Sequence, residues 1–248
     1  MPEYYRPQLK RESRQMLRAA APNIYLVTLI SLLLNYLPRL ITERGLYAQL
    51  LDAGSFDRMR EVYEAWSLQN SGMGLQLATI AMNLFLTVVG FGFARYCLHA
   101  SRAEQPGGIP TLFSGFAQFW RVLSVYILMG IFIFLWSLLL IIPGIIKACA
   151  YSQAPYILMD NPDMTAMECI AASSRLMRGY KGEWFVLQLS FIGWEILAAL
   201  TFGILQIWLQ PYIGIANAGF YNGISRWQPA PAEPEEPNRP HVDDYWKN

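Results

Sequence analysis

Apolar residues in this chain come in long blocks with few interruptions, without the period-2 or period-3.6 alternation of a soluble domain. Four blocks, at 22–40, 73–96, 122–142 and 184–209, provide the roughly 20 helical residues that a hydrocarbon core requires. Two shorter stretches, 145–159 and 212–224, follow the Pro143-Gly144 pair and Pro211. The pattern predicts an all-α fold, an integral membrane helical bundle of about six transmembrane helices in three consecutive hairpins. Its fourth and sixth helices are expected to be short, and tilted or re-entrant.

Further helices are predicted between the blocks. In the large external segment 41–72, Phe56, Met59, Val62, Tyr63 and Trp66 recur at helical spacing, which fits a helix resting on the bilayer or bundle, or a solvated cap. The run Asp160-Asn161-Pro162-Asp163 forms a turn, and Thr165 with Glu168 has the spacing of a capping box. A helix is therefore expected from there to Arg178, with Met167, Ile170, Ala171, Ser174 and Met177 on one side and Gly179 as its stop. It is expected to lie along the cytoplasmic interface.

Residues 1–20 form a basic segment in which Lys10, Arg14 and Arg18 share one helical face. This fits a short amphipathic helix on an anionic membrane surface, or a positive tail without fixed structure. The last 21 residues, 228–248, contain five prolines, five acidic residues and no apolar period, the composition of a disordered tail. The chain thus divides into the N-terminal segment 1–20, a transmembrane bundle at 21–227, and the tail.

Charge orients the bundle, because inner loops carry the Lys and Arg excess. Six crossings with the N-terminus inside place 14 of the 19 basic residues on the inner side, whereas four crossings would leave 11 there. A multi-pass protein of the cytoplasmic membrane with both termini cytoplasmic follows from the stronger asymmetry.

Composition supports the membrane setting: 54% of residues are hydrophobic and 15% charged, against about 25% charged in soluble domains. A net charge of +1 offers no nucleic-acid footprint. Cys97, Cys149 and Cys169 are an odd set without a CxxC pair, and read as small buried hydrophobes. With only His99 and His241 in the chain, and no phosphate-loop lysine after Gly107-Gly108, neither a hydrolase triad nor a histidine metal site is expected, and no cofactor.

The candidate sites are polar groups in apolar surroundings. Glu195, between Trp194 and Ile196, is either part of a proton-coupled site or a residue close enough to the cytoplasmic boundary to meet headgroups, with Trp194 as its interfacial anchor. Pro143-Gly144 and Pro211 each precede a short apolar stretch, so they fit broken helices around a transport site, or ordinary turns. Lys147 follows the first break and on the second reading snorkels toward headgroups. No charge pair is evident within the spans. A lipid or partner surface is expected from Lys10, Arg14 and Arg18, and from Arg175, Arg178 and Lys181.

The stretch Leu138 to Lys147, Tyr151-Ser152, Ala154-Pro155-Tyr156, Asp160-Asn161-Pro162, Ser174 to Lys181, Leu189 to Trp194, Pro211-Tyr212 and Phe220-Tyr221 together resemble a bacterial family catalogued as domain of unknown function 975. The likeness is specific from about residue 120 to 222. It implies a polytopic helical protein of the cytoplasmic membrane, and brings no substrate or catalytic residue with it.

The leading functional expectation is a non-enzymatic interaction or membrane-homeostasis protein that meets anionic lipid headgroups, a protein partner or a second copy. A small transporter or channel comes second. A membrane-embedded enzyme comes last, for want of a nucleophile-base pair.

Overall fold

The structure is a computed structural model and describes residues 6–20, 23–69, 72–102, 104, 107–201 and 203–225, so the proline-rich tail lies outside the described residues. Among these residues the regular elements are all helical. In order they are α1 (Arg6–Ala20), α2 (Asn23–Asp52), α3 (Phe56–Gln69), α4 (Met73–Ser101), a 3₁₀ helix (Ile109–Gln118), α5 (Phe119–Leu139), α6 (Ile141–Tyr151), α7 (Ala154–Asp160), α8 (Ala166–Leu176), α9 (Lys181–Leu200) and α10 (Gln206–Ser225).

Two antiparallel hairpins organise the C-terminal half. In the first, Ser137 faces Gly144, Lys147 lies over the Trp136 ring at 4.6 Å, and Phe132 meets Tyr151 at 6.3 Å. The arms are this close because a Cβ on Gly144 would overlap the Ser137 hydroxyl. The break expected at Pro143-Gly144 falls instead at Leu140, a single extended residue with φ −160° and ψ 143°. Pro143 sits in the first turn of α6, where a missing N–H costs nothing because helix N-termini leave those donors unpaired anyway.

The returning arm is itself broken between α6 and α7 at Ser152-Gln153. Ser173 of α8 satisfies the interruption: its hydroxyl donates to the Ala150 carbonyl at 2.8 Å and accepts from the Gln153 N–H at 3.2 Å. At the open end of the hairpin, Arg121 donates to the Pro162 carbonyl, so α6 and α7 together bring the chain back to near the start of α5.

In the second hairpin Gln188 donates to Asn217 at 2.6 Å, Phe191 and Tyr212 meet edge to face at 5.7 Å, and Gln206 donates to Glu195 at 2.7 Å. Its turn is at 201–205, where Gly203 takes φ +82° and donates to the Ala198 carbonyl. Pro211 therefore marks no break. It is buried inside α10, because the chain had already turned at a glycine.

Helix α4 runs alongside α10 in the same direction: Gly90 shares a cavity wall with Gln206 and Gln210, and Ser101 meets Asn222. The 3₁₀ helix packs back on α4, where a Cβ on Gly92 would overlap the Leu112 carbonyl. Helix α8 carries the expected capping box, Thr165 with Glu168, and Gly179 after it has φ +85°. Its packed face is Cys169, Ile170, Ser173 and Leu176, while Met167 and Ala171 are exposed. The helix is thus wedged against α5, α6 and α7, and the apolar side expected from spacing is rotated.

Helix α2 continues past residue 40 through charged positions to Asp52, since backbone hydrogen bonding does not stop where hydropathy falls. Helix α3 forms as its spacing predicts, with none of its residues buried. Among the described residues, three helical stretches are long and apolar enough to cross a membrane: Met73–Ser101, Ile109–Leu139 and Lys181–Leu200. A fourth arises if Pro7–Ala20 and Asn23–Tyr36, bent by 93°, act together. The returning arm falls short because it is split into α6 and α7. Helix α10 carries Gln206, Gln210, Asn217 and Asn222 among its apolar residues.

Candidate functional site

The most connected polar group joins the C-terminal ends of α4, α7 and α10. Arg102 donates both terminal nitrogens to the Asp160 carboxylate, at 2.8 and 2.7 Å, and its Nε to Asn222 Oδ1 at 3.0 Å. Tyr221 donates to the same carboxylate at 2.8 Å, Asn222 donates to Ser101 at 2.8 Å, and the Tyr221 ring stacks on Tyr156 at 5.3 Å. Burial pushes the Asp160 carboxyl up, yet the hydrogen bonds from Arg102 and Tyr221 outweigh it and hold the group below its ordinary range. The bond to Asp160 likewise raises Arg102.

The sequence predicts no charge pair within the spans; among the described residues His99 meets Glu104, Arg121 meets Asp163 and Arg102 pairs with Asp160, at the helix ends. The pairing joins residues 58 and 120 positions apart, beyond the reach of periodicity. The available signal was a lone arginine directly after an apolar block, together with an acidic turn.

Around this knot the surface is charged. Arg121 lies 3.6 Å from Asp163, and an open groove of about 550 Å³ holds Asp160, Asp163, Glu168 and Arg175. Arg175 and Arg178 are exposed and Lys181 is half-buried, so two of the three expected surface cations are free to meet a solvent or headgroup layer. Two hydrogen bonds from Thr165, backbone and hydroxyl, lower Glu168.

A second polar feature lies between α2, α4 and α10. A cavity of about 380 Å³ is lined by Ser31, Asn35, Tyr36, Gly90, Gln206 and Gln210, with Leu32 and Leu86. Gln210 has a buried side-chain oxygen with no hydrogen-bond partner among the described residues. No sequence motif marked these residues, because single amides and serines in apolar helices look like ordinary interruptions.

The structure does not join the five expected intramembrane positions into one site. Glu195 accepts from Gln206 near the α9–α10 turn, five residues before the helix ends. It therefore lies at the opposite end of α9 from Lys181, and it has a partner. Lys147, Pro143 and Gly144 belong to the other hairpin, where Lys147 lies over Trp136 and 5.8 Å from the Tyr151 ring centroid. Pro211 is packing.

The basic N-terminal segment is helical and packs on the bundle. Leu9 and Ser13 are buried, Leu9 reaches Gly219, and Arg14 lies over Tyr212, so α1 runs back along α10. A helix lying flat on the surface is corrected to one seated against α10, since Leu9 and Ser13 find contacts there that no headgroup layer offers. Lys10 lies over the Phe191 ring at 5.0 Å, whereas Arg18 is exposed.

A family model described as "Protein of unknown function (DUF975)" matches residues 1–149 and 138–228. No curated protein and no solved structure matches the chain.

Proposed function

As this chain belongs to the DUF975 family of proteins of unknown function, we propose its role from its own geometry: a non-enzymatic integral protein of the cytoplasmic membrane that acts by contact at one basic face. The observation that carries this reading is the exposure of Arg175 and Arg178 beside the 160–163 turn, where Arg102 and Arg121 are already paired with Asp160 and Asp163. Arg178 is exposed nearby in sequence, and Lys181 begins α9 at the end of the hairpin where α10 finishes. Inner faces of membrane proteins carry this excess.

The hairpins support six crossings with both termini inside. Helices α4 and α10 end in one polar knot, α5 begins where the α6–α7 arm returns, and α1 starts near the end of α10. Contact partners of matching chemistry are anionic headgroups, an acidic protein surface or a second copy.

Thiol labelling in intact cells tests this, on a background with Cys97, Cys149 and Cys169 replaced by alanine. Ser55→Cys is expected to react with a membrane-impermeant reagent from outside, and Arg178→Cys only after permeabilisation. Labelling of Arg178→Cys in intact cells overturns the orientation. Replacing Arg175, Arg178 and Lys181 with glutamine is expected to weaken cross-linking of the inner face to its neighbours; unchanged cross-linking removes the basis of the contact reading.

A transporter or channel is the second reading, favoured by the polar cavity between α2, α4 and α10. Solute-dependent protection of an Asn35→Cys variant from thiol reagent would move it to first place.

A further inference from the structure

The hydrogen bonds around the cavity between α2, α4 and α10 give it a one-sided chemistry. Three of its lining residues are amides, Asn35, Gln206 and Gln210, with Ser31 and Tyr36 beside them. An amide has donors on one side and an acceptor on the other, so the bond it already makes decides which side is left. Asn35 donates its nitrogen to the Ser31 carbonyl at 2.7 Å, and Gln206 donates its nitrogen to the Glu195 carboxylate at 2.7 Å. Both partners only accept, so the oxygens of Asn35 and Gln206 are the ends that remain. Gln210 Oε1 is buried with no hydrogen-bond partner among the described residues. The cavity therefore offers three amide oxygens, and an acceptor held away from water costs free energy until a donor reaches it.

No lysine or arginine is among the described residues that line it. Glu195 stands one hydrogen bond behind Gln206, and a carboxylate accepting from an amide N–H polarises that amide and makes its oxygen more negative. Tyr36 adds a ring, whose face attracts cations. At about 380 Å³ the cavity has the size of a small-molecule site and is far larger than a bare metal ion needs. Leu32 and Leu86 line it with the amides and suit a short carbon body. Its place along the bundle also fits a polar ligand. Gln206 opens α10 directly after the 201–205 turn, and Gln210 stands about 18 Å of helix from Asn222 in the inner knot. In the membrane reading this is the outer end of the bundle, where Glu195 is exposed.

We infer that this cavity binds a primary ammonium group on a short carbon body, its N–H donors taken by Asn35, Gln206 and Gln210 and its carbons laid against Leu32 and Leu86. Three N–H donors meet three oxygens. A neutral alcohol brings one donor, and a quaternary ammonium brings charge without any, so neither matches the set. The inference deepens the second reading above and rests on its cavity, whether or not the ligand is then carried across.

The test uses the full chain in phosphatidylcholine nanodiscs, with Gly90→Cys on the background lacking Cys97, Cys149 and Cys169. A Cβ at position 90 has open space around it, so the thiol joins the cavity wall without displacing a neighbour. Its rate of modification by neutral methyl methanethiosulfonate is read against propylammonium, 1-propanol and tetramethylammonium at constant ionic strength. Propylammonium is expected to protect at a concentration about tenfold below either of the others, the scale of one charge-assisted hydrogen bond. Gln210→Leu should raise that concentration about tenfold. Glu195→Gln, which keeps a partner for Gln206 and removes the charge, should raise it about threefold. The modification rate without any protecting solute shows in each variant that the cavity is still formed.

Equal protection by propylammonium and 1-propanol overturns the inference, as does equal protection by tetramethylammonium. A preference unchanged in both Gln210→Leu and Glu195→Gln overturns it too, and so does a thiol at position 90 that never reacts. Protection on adding phosphatidylethanolamine to the disc, with no free amine, keeps the chemistry of the site and assigns the ammonium to a headgroup. Sealed vesicles separate this inference from the transport reading. Access of an impermeant reagent to position 90 from one side only, with propylammonium protection intact, defeats carriage and keeps the site; access from both sides without that protection defeats the ammonium alone.

Discussion

The two ends of the C-terminal bundle are built on different terms. Where α4, α7 and α10 finish, five side chains from three helices share donors and acceptors, and the packed core of the same bundle holds Leu112, Val122, Cys169, Met177 and Phe220 fully or almost fully buried. At the tip of the α5–α6 hairpin the residues are just as apolar, but Leu138 is 74% and Ile141 75% exposed. Apolar composition alone therefore does not make a core. One end is specified by its own contacts, and the other presents hydrocarbon outward, which in the proposed setting is matched by lipid.

The largest break in this comparison should come from Asp160→Ala. It leaves Arg102 and Tyr221 without their shared carboxylate, and thermal unfolding in detergent is expected to show a loss of about 3 kcal/mol. A loss under about 1 kcal/mol would mean the knot contributes no more than an exposed pair. Gly92→Ala comes next. Its new methyl would press on the Leu112 carbonyl and lift the 3₁₀ helix from α4, at a cost of about 1–3 kcal/mol. Gly193→Ala, with open space around it, should stay within about 1 kcal/mol of wild type.

Removing the Thr165 cap by Thr165→Ala is expected to cost about 1 kcal/mol. At the tip, Leu139→Ala should shift detergent stability by about 0.5 kcal/mol or less, whereas Leu112→Ala in the core should cost about 2–5 kcal/mol. Equal costs for these two leucines would erase the distinction between the ends.

Acid sharpens the same contrast. The folded-state carboxyl of Asp160 titrates below its ordinary value of 3.8, so its contribution is full above that value and is lost as pH falls through the folded pKa. Unfolding temperature should therefore show an acid limb below about pH 4 that Asp160→Asn lacks. An unchanged limb in that variant assigns it to other carboxylates.

Much of the architecture was legible locally. The apolar blocks mark α4, α5 and α9, Thr165 and Glu168 announce α8, and the three cysteines are buried and free as their spacing suggested. The features missed were those decided by a partner distant in sequence. Prolines were read as breaks, but α5 turns at Leu140 and α9 at Gly203, because helix N-termini tolerate a proline and tight turns need a positive φ. The face that α8 buries depends on where α6 breaks, since Ser173 must reach the Ala150 carbonyl and the Gln153 N–H. The join between Arg102 and Asp160 is set by how three helices end together, which no window of hydropathy contains.

The one-residue corner at Leu140 bears on how the protein is made. In the proposed membrane setting, a hairpin closed by a single apolar residue has no hydrophilic loop to drag through a bilayer, so the two arms would enter sideways as one piece from the insertion machinery. Lys147 is the lone charge in the two arms between Val122 and Tyr151. Because Trp136 on the opposite arm already covers it, the pair of helices carries its own shield during entry. Trp136→Ala should accordingly lower the yield of inserted protein in pulse-labelled cells more than it lowers the stability of the protein that has arrived.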